Sequence, residues 1–143
     1  MLPQRKRLRH TPPPWVPDAS LYFITICRRR RGRNTLARPE TAESLFESIE
    51  YRERLLQWNV HLALLMPDHL HAVIAFAPHQ SMERTIAAWK KYTARSFAID
   101  WQDGFFDHRI RNQAELDKKW SYVLHNPVRA NLCSHPEDWP FKR

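Results

Sequence analysis

Two apolar runs, from Trp58 to Leu65 and from His69 to Phe76, are separated only by Met66-Pro67-Asp68. So short a connection predicts two neighbouring strands in an antiparallel pair, and the rest of the chain has to be arranged around it. Upstream, Leu21-Tyr22-Phe23-Ile24-Thr25-Ile26-Cys27 is rich in β-branched and aromatic residues and predicts a first strand. From Glu40 to Gln57 the apolar positions Ala42, Leu45, Phe46, Ile49 and Leu56 recur at helical spacing. Downstream, Ser81 can cap a helix whose stripe is Met82, Ile86, Trp89, Thr93 and Phe97. Phe105 to Ile110 reads as a short edge strand. Asn112, with Glu115 three positions on, resembles a capping box for a last helix that runs to Asn126 and is ended by Pro127. Strand, helix, strand, strand, helix, edge strand, helix is the order of a ferredoxin-like α+β fold, an antiparallel sheet with helices packed on it.

The chain has 143 residues, enough for one core, and 43% of them are hydrophobic. We therefore expect one domain over residues 20–143, preceded by a proline-rich and basic arm over residues 1–19. Only two glycines are present, and no GxGxxG or P-loop pattern is found, which argues against a phosphate-cradling glycine loop. Cys27 and Cys133 are isolated, without CxxC spacing, and suggest buried thiols. The first residues lack the apolar core of a secretory signal, and no apolar run approaches a membrane span, so a cytoplasmic location is expected. Twenty-three Lys and Arg against fifteen Asp and Glu give a formal charge of +8. A small basic domain of this kind points to a polyanionic partner, most commonly nucleic acid.

Candidate chemistry lies in the third strand. Side chains alternate along a strand, so His69 and His71 share one face while Leu70 points to the other. Two neutral imidazoles at this spacing can present nitrogens to one metal ion, with Leu70, Ala72, Ile74 and Phe76 burying the opposite face. On the last helix Leu116, Trp120 and Val123 form a packing stripe. Glu115, Lys119, Tyr122 and Asn126 fall together on a different flank. A phenol and a carboxamide could thus face one point. The alternative is a half-buried Tyr122 ring and an Asn126 that merely closes the helix.

Three ordered motifs now stand together: Met66-Pro67-Asp68-His69-Leu70-His71, Trp101-Gln102-Asp103-Gly104-Phe105-Phe106-Asp107-His108 and Tyr122-Val123-Leu124-His125-Asn126-Pro127-Val128. With Asp138-Trp139-Pro140-Phe141 as a closing segment, they resemble the REP-associated tyrosine transposases of the HUH superfamily over about residues 20–141. The resemblance implies an HUH fold, a divalent metal (Mg²⁺ or Mn²⁺), and cleavage and rejoining of single-stranded DNA at palindromic hairpins through a covalent 5′-phosphotyrosine. It implies His69, His71 and Asn126 as metal ligands and Tyr122 as nucleophile, and a monomer rather than a dimer. Asp68 and His125 depart from the residues common in that family.

DNA contacts are expected from the turn carrying Arg28, Arg29, Arg30, Arg31 and Arg33, since a run of guanidinium groups is costly to bury. Lys90, Lys91 and Arg95 on the second helix are further candidates, and Trp101 or Phe106 could stack an unpaired base. The rival readings are a non-catalytic hairpin-binding module on the same fold and an unrelated metal hydrolase in which Tyr122 has no role.

Overall fold

Four strands pair in the order β2-β3-β1-β4, every neighbouring pair antiparallel. They are β1 (Leu21–Cys27), β2 (Trp58–Leu65), β3 (His69–Phe76) and β4 (Phe106–Ile110). Helix α1 (Pro39–Arg54) carries the chain from β1 past β3 to β2, and α2 (Met82–Phe97) carries it from β3 past β1 to β4. This is the split βαβ arrangement of a ferredoxin-like sheet, as the element order predicts. A third helix, α3 (Gln113–Arg129), follows the edge strand. The computed structural model describes residues 13–16 and 19–143; most of the expected arm, residues 1–12 and 17–18, lies outside the described residues.

The two faces of the sheet are covered differently. Ile24 and Ile26 of β1 and Leu70, Ala72 and Ile74 of β3 meet Leu45, Phe46 and Ile49 of α1 and Ile86 and Trp89 of α2. The odd-numbered positions of β1 and β3 point the other way, where Phe23 and Val73, with Leu62 and Leu64 of β2, pack against Val123, Leu116, Trp120 and Leu124 of α3 and against Trp139. A strand that buries both faces needs an almost continuous apolar run, and β3 has one interrupted only by its two histidines. Each buried indole also finds an acceptor: Trp89 Nε1 donates to Ser48 Oγ (2.9 Å), Trp101 Nε1 to Thr93 Oγ1 (2.9 Å), Trp58 Nε1 to the Ile49 carbonyl (3.1 Å) and Trp139 Nε1 to the Leu65 carbonyl (2.9 Å).

The sheet's edges also differ. The C-terminal segment pairs along β2, with the Ala63 and Arg143 amides each donating to the other's carbonyl and Leu65 donating to Phe141. Among the described residues no strand pairs with the outer edge of β4, which is short and charged, with exposed Asp107 and Arg109.

Two helix ends depart from the sequence expectation. Helix α1 stops at Arg54, and Leu56 is not on its buried stripe but 57% exposed at φ 59°. The Gln57 amide donates to the Arg52 carbonyl and the Leu56 amide to Glu53, a Schellman closure with leucine in the left-handed position glycine usually takes. At the other site, α3 runs through Pro127 and ends at Arg129. Proline forfeits one backbone bond, but its ring is buried beside fully buried Val123, and its carbonyl accepts the closing bond from the Leu132 amide (2.9 Å). Packing and a second Schellman closure, with Asn131 at φ 59°, outweigh the lost bond. The Asn112 cap forms as expected, its Oδ1 accepting from the Glu115 amide (2.9 Å), but the Glu115 carboxylate returns to the Arg111 amide rather than to Asn112. Cys27 and Cys133 are half-buried free thiols.

Candidate active site

Register decides what surrounds each histidine. Thr25 stands opposite His71, and Cys27 opposite His69, across the β1–β3 ladder. Thr25 Oγ1 lies 2.9 Å from His71 Nδ1, and Asp68 Oδ1 lies 2.7 Å from His69 Nδ1. A carboxylate can only accept, so His69 carries its proton on Nδ1 and presents the Nε2 lone pair. A proton on His71 Nδ1, donated to Thr25, leaves that ring's Nε2 available in the same way. Outer partners of this type orient an imidazole for a metal. The two rings lie 4.7 Å apart, centroid to centroid.

Asp68 is itself held. The Gly32 amide donates to its Oδ2 (2.8 Å), and Arg31 Nε pairs with the same oxygen at 3.1 Å. Gly32 has φ 88°, a conformation that suits glycine, so the turn can bring its amide onto the carboxylate. Burial acts to raise the Asp68 carboxyl, but the bonds from Gly32 and His69 and the Arg31 charge outweigh it and hold it below the usual value. Burial pushes His69 down against the opposing pull of Asp68. Burial, then the neighbouring His69, Arg129 and Arg31, pushes His71 down to about 3. Both rings are therefore kept neutral, as metal ligation requires.

Helix α3 supplies the remaining groups from the same chain. The Asn126 carboxamide ends 3.5 Å from His69 Nε2. The Tyr122 ring lies 6.0 Å from the His71 ring and is 48% exposed, so it faces an open surface. Phe23 completes a three-ring cluster, stacked on His71 (5.4 Å, 22°) and edge-on to Tyr122 (6.2 Å). The final turn that Pro127 does not interrupt carries Arg129, whose guanidinium lies 4.2 Å over the Tyr122 ring and donates to the Tyr122 carbonyl. Two imidazole nitrogens and an amide that can turn its oxygen inward form a neutral donor set beside the half-exposed Tyr122 ring. These residues fit a divalent ion. Among the described residues no group of three or more His, Cys, Asp and Glu is placed to hold one.

The expected DNA-binding residues separate into two groups. Arg28 is not on the surface: it is 8% exposed, bonded to Asp100 through Nε (2.8 Å) and Nη2 (2.6 Å), and to Thr35. A partner 72 positions away offsets the desolvation that a run of arginines should not tolerate. Arg29 bonds Asp103 and the Trp101 carbonyl, and Arg31 anchors Asp68; Arg30 and Arg33 are exposed. Lys90 is not a free cation either, since its Nζ donates to the Gln102 and Gly104 carbonyls (both 2.6 Å). Lys91 and Arg95 are exposed, but α2 packs on the face opposite the histidines, so the structure does not bring them to the site. Trp101 is 7% exposed in the core and cannot stack on a base; Phe106 is 57% exposed on the histidine face.

Sequence reasoning missed Thr25, Phe23 and Arg129, and gave Arg31 to DNA without foreseeing its hold on Asp68. Thr25 follows once β1 is paired in register with β3. Arg129 follows from Tyr122 at two helical turns, but only if the helix is continued through Pro127.

A family model described as transposase IS200 like matches residues 17–125, a span that includes both histidines and Tyr122. The REP-associated tyrosine transposase of Escherichia coli (strain K12) is 24% identical over 123 residues, which are 84% of this chain and 73% of that one. A putative REP-associated tyrosine transposase of Haemophilus influenzae is 27% identical over 139 residues, 85% of this chain and 77% of that one. The fold matches that of a REP-associated tyrosine transposase bound to a REP hairpin, with a TM-score of 0.77 at 23% identity over 87% of this chain and 76% of that one. A putative transposase from Deinococcus radiodurans matches more loosely, with a TM-score of 0.53 at 13% identity over 92% of this chain and 98% of that one. With more than half of its length matched by the model and a site of this geometry, the chain belongs to the IS200-like transposase family.

Proposed function

We propose that this transposase cleaves and rejoins single-stranded DNA beside REP-type palindromic hairpins, with Tyr122 as nucleophile and His69, His71 and Asn126 as ligands of a divalent ion. One observation carries the reading. Asp68 and Thr25 occupy both Nδ1 atoms, and the same sheet face receives Tyr122 and Asn126 from α3. The names of the two relatives and the hairpin bound in the related structure favour REP-type DNA over other strands.

In the reaction, the Tyr122 oxygen attacks a backbone phosphorus. The phosphorus–tyrosine bond forms as the bond to the 3′ oxygen breaks; the phenol proton passes to solvent and the leaving oxygen takes one up as a 3′-hydroxyl. The diester bond is thereby exchanged rather than lost, and a second 3′-hydroxyl can reverse the step without ATP. A bound Mg²⁺ or Mn²⁺ would supply polarisation of the scissile phosphate. Arg129, stacked on the Tyr122 ring, restrains its orientation and places a permanent positive charge beside the incoming phosphate. Phosphate contacts from exposed cations make the affinity fall steeply with salt. All four groups come from one chain, which favours a monomer as the working unit.

The test is incubation with a labelled hairpin carrying a single-stranded flank and Mn²⁺. A denaturant-resistant adduct that disappears in Tyr122→Phe, with hairpin binding retained, is the expected result. Tight binding with no adduct under any divalent ion would replace this reading with the non-catalytic binding module.

A further inference from the structure

One exposed ring beside the site takes no part in the chemistry above. Phe106 opens β4 opposite Thr25, so its side chain leaves the sheet on the face that carries His71. It is 57% exposed, whereas Phe23, two positions along the paired strand, is 4% exposed. The Phe106 and Phe23 rings meet edge to face at 6.2 Å. Phe23 in turn touches both the Tyr122 and the His71 rings, so a single side chain separates Phe106 from the attacking oxygen's ring and from the ligand imidazole. Cations bracket the row: Lys119 Nζ lies 5.0 Å over Phe23, and Arg129 lies over Tyr122. Trp101, the other aromatic considered for base contact, is sealed in the opposite core.

Open aromatic faces interleaved with positive charge are what a single strand needs, since bases stack on the rings while phosphates meet the cations. We propose that Phe106 is a stacking platform for one unpaired nucleobase flanking the scissile phosphate. Its role is to set the register of the strand so that the phosphodiester arrives over Tyr122. Every base has a π-face, so the platform fixes position without reading sequence. This inference rests on the reading in which Tyr122 attacks single-stranded DNA, and it makes Phe106 a positioning residue rather than a reacting one.

The experiment uses the full chain with Tyr122→Phe, which binds without cleaving, and oligonucleotides in which the fluorescent analogue aminopurine replaces each base near the cleavage point in turn. One position should be quenched on binding, the quench should vanish in Phe106→Ala and return in Phe106→Tyr. Removing that base should weaken binding by about ten-fold in the parent and hardly at all in Phe106→Ala, because the two losses share one contact. An unchanged quench at every position in Phe106→Ala, or an equal loss from base removal in both proteins, would overturn the platform. The adduct assay is read separately with Tyr122 intact. A Phe106-dependent quench without any adduct keeps the platform and removes the transferase, whereas a normal adduct with no Phe106 dependence removes the platform alone.

Discussion

Strand β3 shows two chemistries on its two sides. On the side of α1 and α2, Leu70, Ala72 and Ile74 are sealed under fully buried Trp89, Leu45 and Ile86, and every buried indole nitrogen has an acceptor. On the side of α3 the same alternation places His69 and His71, and the covering groups Tyr122 and Phe106 remain about half exposed. The difference teaches that one face is sealed for stability along its length, whereas the α3 face, cored by Leu64, Val73 and Val123, keeps a half-exposed end for two polar rings. Substitutions on the two faces should therefore separate folding from chemistry.

The largest effect is expected on the closed face. Trp89→Ala removes a side chain with no exposed surface, together with the acceptor use of Ser48, and should destabilise the fold by about 3–5 kcal/mol. Tyr122→Phe, on the open face, should leave the denaturation midpoint within about 0.5 kcal/mol of the parent. Chemical denaturation of both variants checks this, and a Tyr122→Phe loss as large as that of Trp89→Ala would break the division between the faces.

Acid should act on the open face first. His71 titrates near 3 in the folded protein and near the ordinary histidine value when unfolded, so the unfolded chain binds the proton first as pH falls. Its contribution to stability is complete above about pH 6.5 and is lost as pH falls toward 3. Between pH 7 and pH 4 the metal-free protein should lose on the order of 3 kcal/mol through this group. Asp68, held below its usual value, adds a loss only below the ordinary carboxylate range. Denaturation curves across that range in the presence of a chelator give the slope. A flat profile would show that the ring protonates in the folded protein as readily as in the unfolded chain, so that burial does not lower its pKa.

A smaller effect separates orienting from packing on the same face. Thr25→Val keeps the β-branched shape but removes the hydroxyl 2.9 Å from His71 Nδ1. Mn²⁺ affinity should fall by about 10- to 100-fold while the melting temperature changes little. Titration of Mn²⁺ by calorimetry distinguishes this from an unchanged affinity, which would mean that His71 needs no partner to present its nitrogen.

What was legible in the sequence follows the same division between local and distant causes. Strand-forming composition and a short connection placed β1, β2 and β3 at their observed bounds, and periodicity put His69 and His71 on one face and brought Tyr122 and Asn126 onto one flank of α3. Those properties depend on neighbours one or two turns away. The burial of Arg28 was not legible because its partner, Asp100, is brought in only by the completed α2–β4 crossover. The continuation of α3 through Pro127 was not legible because its compensation is tertiary burial rather than local propensity. Lys90 looked like a free cation on a helix face because nothing in the helix itself announces the carbonyls of residues 102 and 104. The sequence offers Phe106 and Trp101 alike as base-stacking candidates, because only the completed fold exposes the first and buries the second.

The same contrast between local preference and tertiary demand yields the smallest prediction, at the end of α1. Leu56 is exposed and sits at φ 59°, a backbone state that costs a branched L-residue about 1–2 kcal/mol. It is held there by the paired closure of the Leu56 and Gln57 amides onto Glu53 and Arg52, which the chain needs in order to turn directly into β2. Leu56→Gly removes the steric cost but gives the unfolded chain more freedom, so the net gain should be only about 0.5–1 kcal/mol. Because this turn joins α1 to β2 on the closed face, the gain should appear in denaturation and leave DNA cleavage unchanged. A loss of stability instead would mean that the Leu56 side chain, despite its exposure, contributes packing that outweighs the backbone strain.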